Sequence, residues 1–361
     1  MTDFKNKKIN KILIVKPSSL GDIFHSFPAV SLLHKAFPNA TFDWFVRPEF
    51  QDAVDYCPIT INRKIIFPRT KIKKFKNFTK TFIKVRNDLR QEKYDLIVDF
   101  QGLMRSAFFS SLCHSSEIVG FAKPKESLAT WAYAHKIDLP KEAVHAVDRN
   151  IALVEAITGQ KAPKQMPALA QVNKFKEKIE IILKKHNINP EDKLMGIIPG
   201  ARWTSKTWPP EFFAKIAAKF IEKQAQYKVL IIGAPSDRAA AEKIISLTSN
   251  DRVISIVGDT SVGEMIEAIR HCDFIFSNDS GPIHIAAALH KSVFALFGPT
   301  DPDKTGPYGD CHKIFQAKID CIKCLKRTCP MDDSYSCHNL DISKLITTLD
   351  NYIKNGEVNE K

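Results

Sequence analysis

No stretch of about eighteen apolar residues, the length a helix needs to cross a bilayer, occurs anywhere in the chain. The opening MTDFKNKKINKILIVKP is basic, and its longest apolar run before Lys16 and Pro17 is the four residues 12–15. That is too short for the apolar region of a secretory leader. Internal repeats and low-complexity tracts are missing too, which removes solenoids and disordered scaffolds. Cys57, Cys113, Cys272 and Cys311 are scattered, as reduced thiols would be, and the expected location is cytoplasmic. Glycine is scarce at one telling place: the loop KPSSLGDIFHSFPA follows a short apolar strand, yet lacks the glycines of a phosphate-binding turn. It carries an acid, Asp22, where an anion-binding loop would least want one.

What is present is a globular composition on a basic chain. Apolar residues make up 44% of 361 positions, enough for two ordinary cores. The net charge of +13 points to an anionic partner: nucleic acid, a membrane surface or phosphorylated small molecules. Short apolar runs at 12–15, 42–46, 96–100 and 118–121 alternate with helical patterns. The rhythm repeats at 195–199, 229–233, 253–257, 274–277 and 293–297. Such runs are the mark of buried parallel strands, so an α/β protein of two doubly wound sheets around a central cleft is expected. The polar stretch 162–192 holds the join. The divisions expected are one sheet domain over 1–175, a second over 176–345, and a C-terminal helix and tail over 346–361.

Several segments carry chemistry. In SNDSGPIHIAAALHKSVFALFGPTDP, Asn278 or Asp279 can cap a helix whose first turn holds Gly281 and Pro282. A helix start presents free N–H groups and suits a phosphate, although the same features describe a well-capped core helix. In PGARWTSKTWPPEFF, Arg202, Thr204, Ser205 and Lys206 follow a strand. They could neutralise a phosphate, or Lys206 could be an ordinary solvated lysine. Asp237, after IIGAPS, suits a ribose hydroxyl or complements a helix dipole. From 63 to 90 the chain carries eleven lysines and arginines against Asp88 alone, interleaved with Phe67, Phe75, Phe78 and Phe82. That run reads as a solvated face, a nucleic-acid patch or a membrane-surface patch. In DFQGLMRSA, Gln101 and Arg105 follow a strand. Finally, CIKCLKRTCPMDDSYSCH opens with a metal-like Cys-x2-Cys, but its later spacing is irregular. Metal binding, a redox-sensitive hairpin and a structural loop all remain open for it.

Taken in order, KPSSLGDIFHSFPA, DFQGLMRSA, PGARWTSKTWP and SNDSGPIHIAAALHKSVFALFGPTDP resemble the bacterial lipopolysaccharide heptosyltransferases, glycosyltransferase family 9. The first segment and FDWFVRPEF look most like the type I enzymes, which add the first heptose to Kdo. The resemblance implies a GT-B fold and inverting transfer from ADP-heptose to Kdo–lipid A, with no metal and no cofactor. It implies Asp22 as base and Lys206 as support for the leaving diphosphate. Ser18, Ser19, Gly21, Thr204, Ser205, Asp237, Asp279, Ser280, Gly281 and His284 would surround the nucleotide sugar. Arg63, Lys64, Lys74, Gln101, Arg105 and Lys123 would meet the acceptor. A monomer resting on the cytoplasmic face of the inner membrane, with no nucleic-acid partner, follows from the same likeness. Ala201 and Arg202 stand where type I sequences carry hydroxyl residues, and Asp237 stands for a usual glutamate. The alternatives are a family 9 enzyme adding a later heptose (type II or III) and a non-enzymatic nucleic-acid-binding protein.

Overall fold

A computed structural model describes residues 4, 7–72, 78–115, 117–330 and 336–355. The chain divides into two compact units, Met1–Gln171 and Val172–Lys361. The first holds β1 (Lys11–Val15), β2 (Thr41–Val46), β3 (Arg63–Ile66), β4 (Leu96–Asp99), β5 (Ile118–Phe121) and β6 (His135–Ile137), all parallel, in the order β3-β2-β1-β4-β5-β6. The second holds β7 (Lys193–Ile198), β8 (Tyr227–Ile231), β9 (Val253–Ser255), β10 (Phe274–Asn278), β11 (Ser292–Leu296) and β12 (Lys313–Phe315), again parallel, in the order β12-β11-β10-β7-β8-β9. Both units therefore have the doubly wound nucleotide-binding order, which reverses direction beside the first strand. That reversal falls between β1 and β4 in one unit and between β7 and β10 in the other.

Strands β1, β4, β10 and β11 are buried along nearly their whole length because helices cover both faces of each sheet. Three strands were not expected from the sequence: β3, β6 and β12. Each is an outermost strand of only three or four residues, so it needs little apolar sequence and gives little signal. Strand β3 opens the basic run, and the helix Phe78–Arg90 later in that run buries Val85 and Leu89. The helix Pro210–Lys223 buries Phe213, Ile216 and Phe220 against the second sheet, with Phe212 partly buried beside them. The C-terminal helix Ile342–Asn355 adds Leu345, Ile346 and Leu349 to that same core, and Lys223 meets its Asp350 at 2.6 Å. No helix among the described residues is long and apolar enough to cross a membrane.

Phe274, at the start of β10, is fully buried and packs edge-on against Phe220, Phe294 and Tyr352 at 5.4–5.8 Å between centroids. A cavity at the middle of an aromatic cluster relaxes poorly. Phe274→Ala should lower stability by about 3–5 kcal/mol, read as a fall in the denaturation midpoint of the second unit. A change below about 1 kcal/mol would mean that these rings do not hold the sheet.

Candidate active site

The loop after β1 is fixed from several sides. Lys16 is 6% exposed, and its ammonium donates to the Phe100 carbonyl at 2.8 Å. Burial draws its proton affinity down, while Asp22 and Asp99 push it back up. Ser18 N–H donates to Gln101 Oε1 at 3.2 Å, tying the β1 loop to the β4 loop across the reversal point. Ser19 then caps the short helix Leu20–Phe24: its N–H and hydroxyl both donate to Asp22 Oδ2, at 2.8 and 2.7 Å. Asp22 is thus oriented by Ser19 and lies in the field of the buried Lys16. Gly21, the neighbour of Asp22 in the chain, is buried.

The β4 loop is anchored by Asp99, which is completely buried. It accepts from Ser106 Oγ and Tyr133 Oη at 2.7 and 2.8 Å, and from the N–H groups of Gln101 and Gly102 at 2.8 and 3.2 Å. Burial raises its proton affinity in spite of those donors. Gly120 on β5 must be bare, because a Cβ there would run into the Tyr133 ring that reaches Asp99. Beside this loop a cavity of about 570 Å³ starts at Pro17 and Ser18. Its polar wall holds Arg47, Arg69 and Arg105 with one acid, Glu126, and Gln101, and its apolar wall includes Phe108 and Trp131. Burial, then the like charge of Arg69, lowers the proton affinity of Arg105, and the carboxylate of Glu126 partly offsets them.

Of the residues expected to meet an acceptor, Gln101 and Arg105 line this cavity, and Arg63, Lys64 and Lys123 do not. Arg63 lies at the amino end of β3, where it donates to the Asp88 carbonyl at 2.9 Å and reaches Asp43 and Glu92. Lys64 is bound to Asp55 at 2.5 Å, and Lys123 is exposed after β5. Lys74 lies outside the described residues. Two residues not singled out by the sequence line it instead, Arg47 and Arg69, and a third, Lys16, is buried beside the β1 loop. Arg47 and Lys16 immediately follow β2 and β1, and Arg69 follows β3 closely. A search for charge just beyond each strand would have found Arg47 and Lys16.

In the second unit, the 3-10 turn Thr204–Lys206 follows β7. The ammonium of Lys206 bonds Asp279 Oδ2 at 2.6 Å and lies 4.7 Å from the Trp203 ring centre. Asp279, 4% exposed, also accepts from the Thr300 hydroxyl. The hydroxyls of Thr204 and Ser205 donate to the carbonyls of Arg327 and Lys326 at 3.1 and 2.7 Å, so they brace the turn. Asn278 Nδ2 donates to the Pro199 carbonyl at 2.6 Å and joins the β10 and β7 loops. Ser280 then stands at the start of the helix Gly281–Ala288, with Pro282 in its first turn and His284 buried. Asp237 takes the N–H of Ala234 at 2.9 Å and lies against Gly200 and Gly233, whose missing side chains make room for its carboxylate. It therefore spans the carboxyl ends of β7 and β8, where nucleotide ribose is bound in sheets of this order.

Residues 82–334 match the glycosyltransferase family 9 (heptosyltransferase) family. The lipopolysaccharide heptosyltransferase 1 of Pseudomonas aeruginosa is 26% identical over 326 residues, 88% of this chain and 87% of its own length. The lipooligosaccharide heptosyltransferase 2 of Campylobacter jejuni is 26% identical over 353 residues, 96% of this chain and 100% of its own. The structure of the Escherichia coli ADP-heptose LPS heptosyltransferase II superposes with a TM-score of 0.76 at 22% identity, covering 96% of this chain and 99% of that one. The match makes the protein an enzyme and removes the reading as a non-enzymatic nucleic-acid binder. The chain belongs to glycosyltransferase family 9, the heptosyltransferases, and its two doubly wound sheets are those of a GT-B enzyme.

Proposed function

We propose that the protein moves L-glycero-D-manno-heptose from ADP-heptose to the Kdo of the lipopolysaccharide inner core, with inversion, the type I reaction. Relatives of both types match at 26% identity, so identity does not choose the acceptor. The observation that carries the reading is the cavity walled by Arg47, Arg69 and Arg105 that opens from the loop bearing the base. Guanidinium groups bind carboxylates and phosphates in a forked geometry, and the proposed acceptor offers both. The first unit supplies the base: Asp22 takes the proton of the acceptor hydroxyl as its oxygen attacks the anomeric carbon. Ser19 holds the carboxylate in place, and Lys16 favours its ionised form. The second unit receives the leaving ADP. Lys206 and the N–H groups at Ser280 and Gly281 neutralise the departing diphosphate, and Asp237 takes the ribose. Asp279 is a positioning residue that aims Lys206. No catalytic metal is needed in this scheme, because those groups supply the positive charge.

On the first unit, Phe78, Ile83, Phe108, Leu128 and Trp131 are exposed large apolar side chains, and Lys80, Lys84 and Arg86 lie on the helix that bears Phe78 and Ile83. Phe78 stacks on Phe82, and Phe82 on Phe108, at 5.9 and 6.1 Å. Apolar rings beside basic residues suit an anionic lipid surface, and the lipid acceptor would be met there.

Product should form from Kdo₂–lipid A and ADP-heptose. Activity only on an already heptosylated core would replace type I by a later-acting enzyme. In that assay Asp22→Asn should lose about 10²–10⁴-fold in kcat while donor binding survives. Lys16→Met removes a cation beside Asp22, so the carboxylate holds its proton to higher pH. The acidic limb of kcat/KM should therefore move upward, and a limb that stays in place would remove Lys16 from the base assembly.

Lys206→Met should abolish donor turnover and cost stability of about 3–5 kcal/mol, because Asp279 loses its partner in a nearly closed site. Adding Asp279→Asn should restore most of the stability and none of the turnover. Recovery of both would make the pair purely structural. Binding to vesicles containing anionic lipid should weaken when Phe78 and Ile83 are replaced by serine, and equal binding would exclude this face.

A further inference from the structure

The mechanism leaves one chemically distinctive cluster unused. Cys57, Cys113 and Cys272 are buried apart from one another, and burial pushes each thiol up to about 12. The four cysteines beyond β12 behave differently. Cys321, Cys324, Cys329 and Cys337 follow the spacing Cys-x2-Cys-x4-Cys-x7-Cys. All four are free thiols and all four line one small cavity of about 110 Å³, closed by Gly298, Pro299 and Pro330. A Cβ on Gly298 would stand 3.0 Å from the Cys337 sulfur, so the glycine keeps that side open. Lys323 and Leu325 both adopt positive φ, at 62° and 59°, on either side of Cys324. Their N–H groups donate to the carbonyls of Gly298 and Pro299 at 3.2 and 2.7 Å, which holds this turn against the cavity.

Between Cys321 and Cys329 the chain carries Lys323, Lys326 and Arg327 and no acid, and Lys323 is paired with Asp301 and Asp303 at 2.7 and 3.1 Å. As placed, the sulfurs surround the cavity without meeting: among the described residues no three His, Cys, Asp or Glu side chains are gathered closely enough to hold an ion. Rotation of the side chains towards the cavity is the motion that binding requires.

We propose that Cys321, Cys324, Cys329 and Cys337 form a tetrathiolate site for a single thiophilic metal ion, Zn²⁺ by its chemistry, and that this structural centre holds the turn carrying Lys206. Four thiols bind through sulfur, each releasing its proton to solvent, and the ion sits in tetrahedral geometry with Zn–S bonds of about 2.3 Å. No electron is transferred. The consequence for the turn follows from hydrogen bonds on the same segment. The carbonyls of Lys326 and Arg327 take the hydroxyls of Ser205 and Thr204, and Arg327 O also takes Ser205 N–H at 3.3 Å. Next to Cys337, His338 Nε2 donates to the Ser205 carbonyl at 3.1 Å. The cysteine segment thus grips Ser205 through both its N–H and its carbonyl, one residue before Lys206. The site stands on the cysteines alone; its effect on the donor rests on the role proposed for Lys206.

The test is elemental analysis of the full chain purified without a metal-binding tag, alongside Cys324→Ser and Cys329→Ser. One zinc per chain is expected, or one mononuclear iron with thiolate-to-iron absorption, with loss of the metal in both variants. Cobalt added to chelator-treated protein should give tetrahedral thiolate spectra, and this arm does not require the variants to fold. Chelation should lower the melting temperature and raise KM for ADP-heptose severalfold, both reversed by zinc. Metal-free protein whose four thiols titrate freely or are paired in disulfides would overturn the site, as would unchanged metal content in the variants. Bound metal with an unaltered donor KM on removal would overturn the positioning role. A metal-loaded protein with no heptosyl transfer would count against the proposed function and leave the site standing.

Discussion

Parallel strands hydrogen-bond evenly along both edges and are covered by helices on both faces, and that constraint governs where chemistry can occur in this protein. The interior strands have no polar freedom: β1, β4, β10 and β11 are closed to solvent almost throughout. Reactive side chains are therefore pushed past the strand ends, and the reversal of strand order opens a gap there in each unit. Asp22 and Gln101 follow the two strands at one reversal, and Lys206 and Asp279 follow the two at the other. The loops at the two reversals differ: one sets arginines and Gln101 along a cavity, the other a lysine beside a helix start.

Buried polar anchors hold those loops still. Asp99 gathers two hydroxyls and two backbone N–H groups, and Lys16 reaches the Phe100 carbonyl from the neighbouring strand. In the second unit the lysine–aspartate pair and the Asn278 amide do comparable work. A loop with its own satisfied network loses little further entropy when a substrate arrives, which is the physical content of a preorganised site.

Much of this was legible in the sequence, for identifiable reasons. Nine of the twelve strands announced themselves as apolar runs, and eight of those nine are interior to their sheets. The outermost β3, β6 and β12 did not, and the loss of β3 had a cost beyond itself. With that strand unseen, Arg69 was one cation in a long basic run rather than a residue just past a strand end. Arg63 and Lys64 looked like acceptor ligands for the same reason, although the fold sets them on and at the amino end of β3 in ion pairs. Partnerships between distant segments were the other blind spot. Thr204 and Ser205 read as ligand-binding hydroxyls, but they bond to carbonyls more than a hundred residues later. No local pattern encodes such a meeting.

The partners of those hydroxyls are main-chain oxygens, as is the Phe100 oxygen beneath Lys16. A carbonyl is supplied by every residue type, so Lys326, Arg327 and Phe100 could each be exchanged without deleting the acceptor. The supports of the two loops are in this sense independent of the alphabet. Descent can rewrite these positions freely while the geometry persists, and a chain sharing about a quarter of its residues with its relatives can keep the same braces.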